Sequence, residues 1–189
     1  MNSIITISSD NALLATEIVG AGEPVVFLHA NVCDRRMWQE QMRSIGATHK
    51  AIAYDRRGFG QTVSVPESFS GLADLLAVLD AVVEGRPAIL IGCSLGGRIA
   101  LDVALHHPAR VRALILVAPN VTGAPNPTYT AEVQALVVKA NEVEASRDLT
   151  HLSRIKARLW LDGPLASEGR VAGTARILFH EMYGTAMRS

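Results

Sequence analysis

The chain has 189 residues, of which 49% are apolar and 19% charged, and its eighteen Lys and Arg balance eighteen Asp and Glu. A chain this apolar has surface to bury, which excludes disorder throughout, and its length suits one domain with a sizeable core. Zero net charge without a basic block excludes the usual electrostatic footprint of a nucleic-acid or anionic-membrane partner, so neither is expected.

From the amino terminus, residues 3–19 alternate weakly around Asp10-Asn11, a pair that tolerates the positive φ of a tight turn. They predict an antiparallel ribbon ending at Gly20 and Gly22. Four short apolar runs follow, Val25 to Leu28, Ala51 to Tyr54, Ala88 to Ile91 and Ala113 to Val117. Each is apolar throughout rather than alternating, as in strands of a parallel sheet covered by helices on both faces. Between the runs, a short helix carries Trp38, Met42 and Ile45. A second, capped by Ser70, repeats Leu72, Leu75, Leu76, Leu79, Val82 and Val83 at helical spacing until Gly85 and Pro87. A third runs from Leu95 to His107 and must stop at Pro108. This alternation predicts a doubly wound α/β domain with its ligand site at the carboxyl ends of the strands.

Composition changes after Val117-Ala118-Pro119. Pro125 and Pro127 interrupt the chain, and no strand-like run follows them. Val133, Leu136, Val137, Ala140 and Val143 form one helical stripe, and Leu149, Leu152, Ile155 and Leu159 form another. The expected organisation is therefore a core over residues 1–120 and a helical region over 121–189. No apolar run approaches the roughly 18 residues that would cross a bilayer, and the start lacks a basic and an apolar signal region, so a cytoplasmic location is expected. The two cysteines, Cys33 and Cys93, read as loop or turn residues outside any metal-ligand spacing, which makes a disulfide scaffold or zinc site unexpected.

The chemistry-bearing motif is Gly92-Cys93-Ser94-Leu95-Gly96-Gly97, a G-x-S-x-G sequence between the third apolar run and the third helix. A sharp strand-to-helix turn forces its serine into strained backbone angles, and only tiny neighbours two residues away on either side avoid collision. Gly92 and Gly96 meet that demand. The strain exposes the Ser94 hydroxyl while the helix start aims unpaired N–H groups at a developing oxyanion, making Ser94 the candidate nucleophile.

With this motif the sequence resembles the α/β-hydrolase superfamily, and three more segments match in order. Leu28-His29-Ala30-Asn31-Val32-Cys33-Asp34-Arg35-Arg36-Met37-Trp38 looks like its His-Gly loop with a downstream Trp. Asp55-Arg56-Arg57-Gly58-Phe59-Gly60-Gln61-Thr62 is similar to its D-x-R-G-x-G-x-S turn. His107-Pro108-Ala109-Arg110-Val111, leading into Leu114 to Pro119, resembles the join from nucleophile helix to next strand. The helical remainder, with Leu159-Trp160-Leu161-Asp162-Gly163-Pro164, looks like the cap of the enol-lactonase, esterase and haloperoxidase-like branch. The resemblance implies that the backbone N–H groups of Leu95 and Asn31 form the oxyanion hole and that His29 is a structural loop residue. Ala30 stands where the superfamily usually has glycine. Asn31 is also similar to the halide-binding asparagine of haloalkane dehalogenases, but their nucleophile is an Asp followed by Trp, so dehalogenation is not expected here.

The superfamily's order is nucleophile, acid, then histidine on loops after later strands. After Pro119 there is no such strand and no late Gly-His. His106 and His107 end a helix, His151 and His180 lie in the helical region, Asp80 and Asp102 sit on helix faces, and Asp55 belongs to its own turn. A serine without its base is a weak nucleophile, and triad loss costs on the order of 10⁴ to 10⁶ in turnover in a well-studied protease. The resemblance thus implies a serine hydrolase of small ester, lactone or related acyl substrates, with acid and base outside these residues. This chain is expected to be the amino-terminal part of a longer hydrolase and nearly inactive alone. Its apolar Ile115 strand is expected at an open sheet edge, a route to self-association. Two other readings stay open: a hydrolase-derived protein that only holds a small ligand, and a fragment completed by a second chain. No cofactor or metal is implied, since G-x-G-x-x-G and metal-ligand spacings are both missing.

Overall fold

The Asp10-Asn11 turn forms as its residue types demand. In the computed structural model, which describes residues 2–187, Asp10 takes φ +47°. It joins β1 (Asn2–Ser9) to β2 (Ala12–Val19) in antiparallel register, Asn2 facing Val19 and Ser9 facing Ala12. β2 then pairs antiparallel with β4 (Lys50–Tyr54). From β4 the sheet continues in parallel through β3 (Pro24–Leu28), β6 (Ala88–Cys93) and β7 (Val111–Val117). The order is β1-β2-β4-β3-β6-β7, with the two-residue strand β5 (Val63–Ser64) pairing beside β2. β5 is too short to leave a periodic signal in the sequence.

The apolar run Val25 to Leu28 is fully buried because each alternate side chain meets a different layer. Val26 and Leu28 join Ile52 and Tyr54 against Leu75, Val78 and Leu79 of α2 (Gly71–Val82) and Ile99, Ala100 and Val103 of α3 (Leu95–His106). Val25 and Phe27 face the other way, with Ala51 and Ala53, onto Trp38 and Met42. The Phe27 and Trp38 ring centroids are 5.4 Å apart. Trp38 ends a 3₁₀ turn, Arg35–Trp38, and Met42 lies on α1 (Gln39–Ile45), so the helix expected there begins as a tighter turn. Ser70 caps α2 as expected, its hydroxyl accepting from the Ala73 N–H at 3.3 Å.

β7 has the open edge expected of the Ile115 strand but departs from the expectation of cover on both faces. It is the terminal strand of the described sheet, and Ile115, Leu116 and Val117 are exposed. Cys93 also differs from its reading as a turn residue, being the last residue of β6.

The chain divides into two compact units between Ala124 and Pro125, a few residues beyond the boundary expected at 120. All regular structure described in the second unit is helical: α4 (Ala131–Ser146), α5 (Leu149–Ala157), a π-helical turn Arg158–Asp162, and α6 (Thr174–Ala186). Val133 and Ala140 of α4, Leu152, Ile155 and Ala157 of α5, Leu159, and Phe179, Met182 and Tyr183 of α6 are its buried apolar residues among those described.

Candidate active site

Ser94 stands between β6 and α3 with φ +53° and ψ −118°, a conformation that L residues rarely adopt. Such strain costs of order 1–3 kcal/mol and persists only when the surroundings enforce it. Here three groups do so. The Ser94 N–H donates to the carbonyl of Val117 at 3.0 Å, and its carbonyl accepts from Arg98 N–H at 3.1 Å and Asn120 N–H at 3.2 Å. The flanking glycines leave room for the corner. A Cβ on Gly92 would lie 2.6 Å from the Gly96 carbonyl oxygen, and one on Gly96 would strike the carbonyl oxygens of Leu28 and His29. The first turn of α3 therefore lies directly against the loop leaving β3. Pro119 closes the third side, 2.9 Å from where a Gly97 Cβ would stand.

The bond from Arg98 to Ser94 is the first of the α3 ladder, so the amides of Leu95, Gly96 and Gly97 have no preceding helical carbonyl to meet. They lie at the positive end of the helix, beside the serine. Ser94 and Leu95 are half-buried, and Asn31 is exposed on the β3 loop. Ala30 keeps a negative φ in place of the usual glycine, and its N–H points at the Met37 Sδ, 3.3 Å away.

A buried arginine holds that loop. Arg56 Nη2 donates to Asn31 Oδ1 at 3.1 Å, and its guanidinium lies 4.8 Å from the Phe59 ring centroid. Burial lowers the pKa of Arg56 to about 10. His29 is fully buried below it, with Nδ1 2.8 Å from the Ala30 carbonyl and Nε2 accepting from the Arg56 N–H at 3.1 Å. Burial, and then the Arg56 charge, hold its pKa well below the ordinary histidine value. The ring is thus a neutral strut whose two nitrogens are both engaged, in keeping with the expected structural role.

Residues 25–186 match the Alpha/beta hydrolase family. The chain belongs to this family. A pimeloyl-[acyl-carrier protein] methyl ester esterase of Vibrio campbellii is 30% identical over 131 residues, covering 68% of this chain and 47% of the relative. A 2-hydroxy-6-oxo-6-phenylhexa-2,4-dienoate hydrolase of Comamonas testosteroni is 35% identical over 113 residues, covering 56% and 39%. The crystal structure of a hydrolase from Pseudomonas aeruginosa PA01 superposes with a TM-score of 0.70 at 26% identity, covering 96% of this chain and 66% of its own. The chain spans less than half the length of the curated relatives it matches.

Against that family background, the candidate acids Asp55, Asp80 and Asp102, and the histidines His49, His106 and His180, have partners of their own. Asp55 accepts from Arg35 N–H and Gln61 N–H, each at 2.8 Å, and pairs with the Arg35 guanidinium. It thereby closes its own turn, where Gly60 leaves space for the carboxylate. Burial, only partly offset by these donors, raises its pKa. Asp80 pairs with Arg110 at 2.6 Å, and Asp102 accepts from the Thr122 hydroxyl at 3.1 Å. His49 meets the Thr48 hydroxyl, His106 the Asp102 carbonyl, and His180 the Ser153 hydroxyl. Cys93, next to the serine, has its thiol pKa raised by burial, and Cys33 is pushed up to about 12, which keeps both as thiols. Among the described residues no group of three His, Cys, Asp or Glu is placed to hold a metal ion, and no helix is long and apolar enough to cross a membrane.

Sequence reading found the serine and its glycines but missed the braces. Asn120, the Val117 carbonyl and Arg56 act across about 25 residues of chain, and no local spacing announces them. The one available signal was Pro119, which closes the segment that resembles the join from nucleophile helix to next strand.

Proposed function

We propose that this chain carries the nucleophile and oxyanion machinery of a serine hydrolase acting on small ester, lactone or related acyl substrates. The observation that carries the reading is the strained Ser94 between Gly92 and Gly96, at the start of a helix whose first amides have no partner among the described residues. Ser94 Oγ would attack the acyl carbon, and the amides of Leu95 and Asn31 would receive the oxyanion, each such donor being worth about 3 kcal/mol in the transition state. Arg56 would set the position of the Asn31 amide through its bond to the Asn31 side chain. The esterase among the relatives supports an ester-like substrate. The acid and base that would activate Ser94 are assigned to sequence outside these residues, because every candidate acid here has a structural partner.

A fluorophosphonate probe tests the reading. A version lengthened to the size of the relatives should be labelled, and labelling should vanish in Ser94→Ala. The 189-residue chain should react slower by about 10⁴ or more, the effect of a missing triad base. Undiminished labelling of the lengthened Ser94→Ala protein would remove Ser94 from the mechanism.

A further inference from the structure

The helical unit contains a cavity of about 270 Å³ between α4, α5 and the π-helical turn. Its lining is chemically uneven. Leu136 and Ile155 form an apolar wall, Lys139, Arg154 and Arg158 surround it together with His151, and Glu168 is the one acidic side chain of the lining. Glu168 is already committed, accepting from Arg158 Nη1 at 3.1 Å. Lys139 and Arg154 have no hydrogen-bond or ion-pair partner among the described residues.

That contrasts with other helix-borne cations of the unit. Lys156 pairs with Glu144 at 3.6 Å, and Arg176 with Asp162. Among the described residues the two cations within helices that lack partners, Lys139 and Arg154, thus both face the same cavity. A cavity slightly below the size that holds a drug-like molecule, with one greasy wall and two free cations, fits a small anion with a short apolar portion. Arginine and lysine bind carboxylate and phosphate oxygens through short, charge-assisted hydrogen bonds.

We propose that this cavity is a binding site for a small organic anion, with its acidic group between Lys139 and Arg154 and its apolar portion against Leu136 and Ile155. The site is independent of the chemistry assigned to Ser94. Its ligand class is a short-chain carboxylate or an alkyl phosphate, which share the charged head that the cations recognise.

The full chain should be titrated with hexanoate, butyl phosphate and hexanol at constant ionic strength, following melting temperature and heat of binding. Hexanoate, butyl phosphate or both should bind saturably and raise the melting temperature, whereas neutral hexanol should not. The tighter of the two anions identifies the head group. The double variant Lys139→Gln with Arg154→Gln should bind at least about tenfold more weakly. Lys139→Arg with Arg154→Lys, which keeps both charges, should restore binding. Both residues are exposed, so the fold should persist, as far-UV circular dichroism would verify. Equal responses to hexanol and the anions, no saturable response to either anion, or undiminished binding by the double variant would overturn the site.

Discussion

The Ser94 amide is fastened to the Val117 carbonyl at 3.0 Å, and Val117 belongs to the outermost strand of the described sheet. The strain at the serine is therefore held partly by an edge strand with solvent on its far side. Glycine at position 94 would adopt the same angles without steric conflict. Ser94→Gly should accordingly raise unfolding free energy by about 1 kcal/mol, within the usual cost of one strained residue. Ser94→Ala, which keeps the Cβ, should leave it nearly unchanged. Urea denaturation of the three proteins checks this. Equal stability of the glycine and alanine variants would mean that the corner stores no strain.

Arg57 and Asp74 form a buried pair that ties α2 to the first ribbon. Arg57 Nη2 donates to Asp74 Oδ1 and to the Ser9 carbonyl, both at 2.9 Å, while the Ser9 hydroxyl donates to the same carboxylate at 2.7 Å. Removing Arg57 leaves the buried Asp74 carboxylate without a counter-charge, so Arg57→Ala should cost about 3–5 kcal/mol. Asp74→Ala should cost less, because Arg57 Nη1 keeps its bond to Glu67 at 3.1 Å. The apolar pair Arg57→Met with Asp74→Leu should cost much less than the sum of the two alanine effects, since no buried charge remains. A double-mutant cycle by thermal denaturation measures the difference.

Legibility in the sequence followed the range of the forces involved. The elbow could be read because its steric demand falls on residues two positions either side of Ser94, and β3 because burial on both faces leaves apolar residues at every position. The last apolar run could not be ranked the same way. Ala113 to Val117 is as apolar as Val25 to Leu28, yet β7 is exposed, because an apolar run states what a strand can bury and not which neighbour is there. Asp55, Arg35 and Arg56 were visible as motif residues, but their pairings join positions 20 or more apart, which only the folded sheet brings together.

Asp162 makes the helical unit sensitive to acid. Its carboxylate accepts from Arg176 Nη2 at 2.5 and 2.6 Å, from Val171 N–H at 2.9 Å and from Gly169 N–H at 2.9 Å, latching the segment after the π-helical turn. The Arg176 bond, joined by the two amides, lowers its pKa from 3.8 to about 2. A carboxyl depressed in the folded state binds its proton more readily when unfolded. Its stabilisation is therefore complete above about pH 4 and drains away as pH falls through about 2. Asp162→Asn should destabilise the unit by about 1–3 kcal/mol near neutrality, and the deficit should shrink in that acid window. Fluorescence of Trp160, two residues away, can follow the transition in a Trp38→Phe background. A deficit independent of pH would show that the charge of Asp162 contributes nothing.

The exposed face of β7 should govern the solution behaviour of this chain. Successive side chains of a strand point to opposite faces, yet Ile115 and Leu116 are both exposed, at 51% and 36%. Beyond them lies an edge whose backbone groups can template a further strand. The 189-residue chain should therefore self-associate as its concentration rises, through pairing along β7. Ile115→Lys and Leu116→Lys should suppress this by placing charge on each face of the edge. Because both sites are already exposed, each should alter stability by no more than about 0.5 kcal/mol. Light scattering over a concentration series separates the outcomes. The lysine variants should remain monomeric where the parent chain grows, and a parent chain that stays monomeric throughout would show that this edge does not drive association.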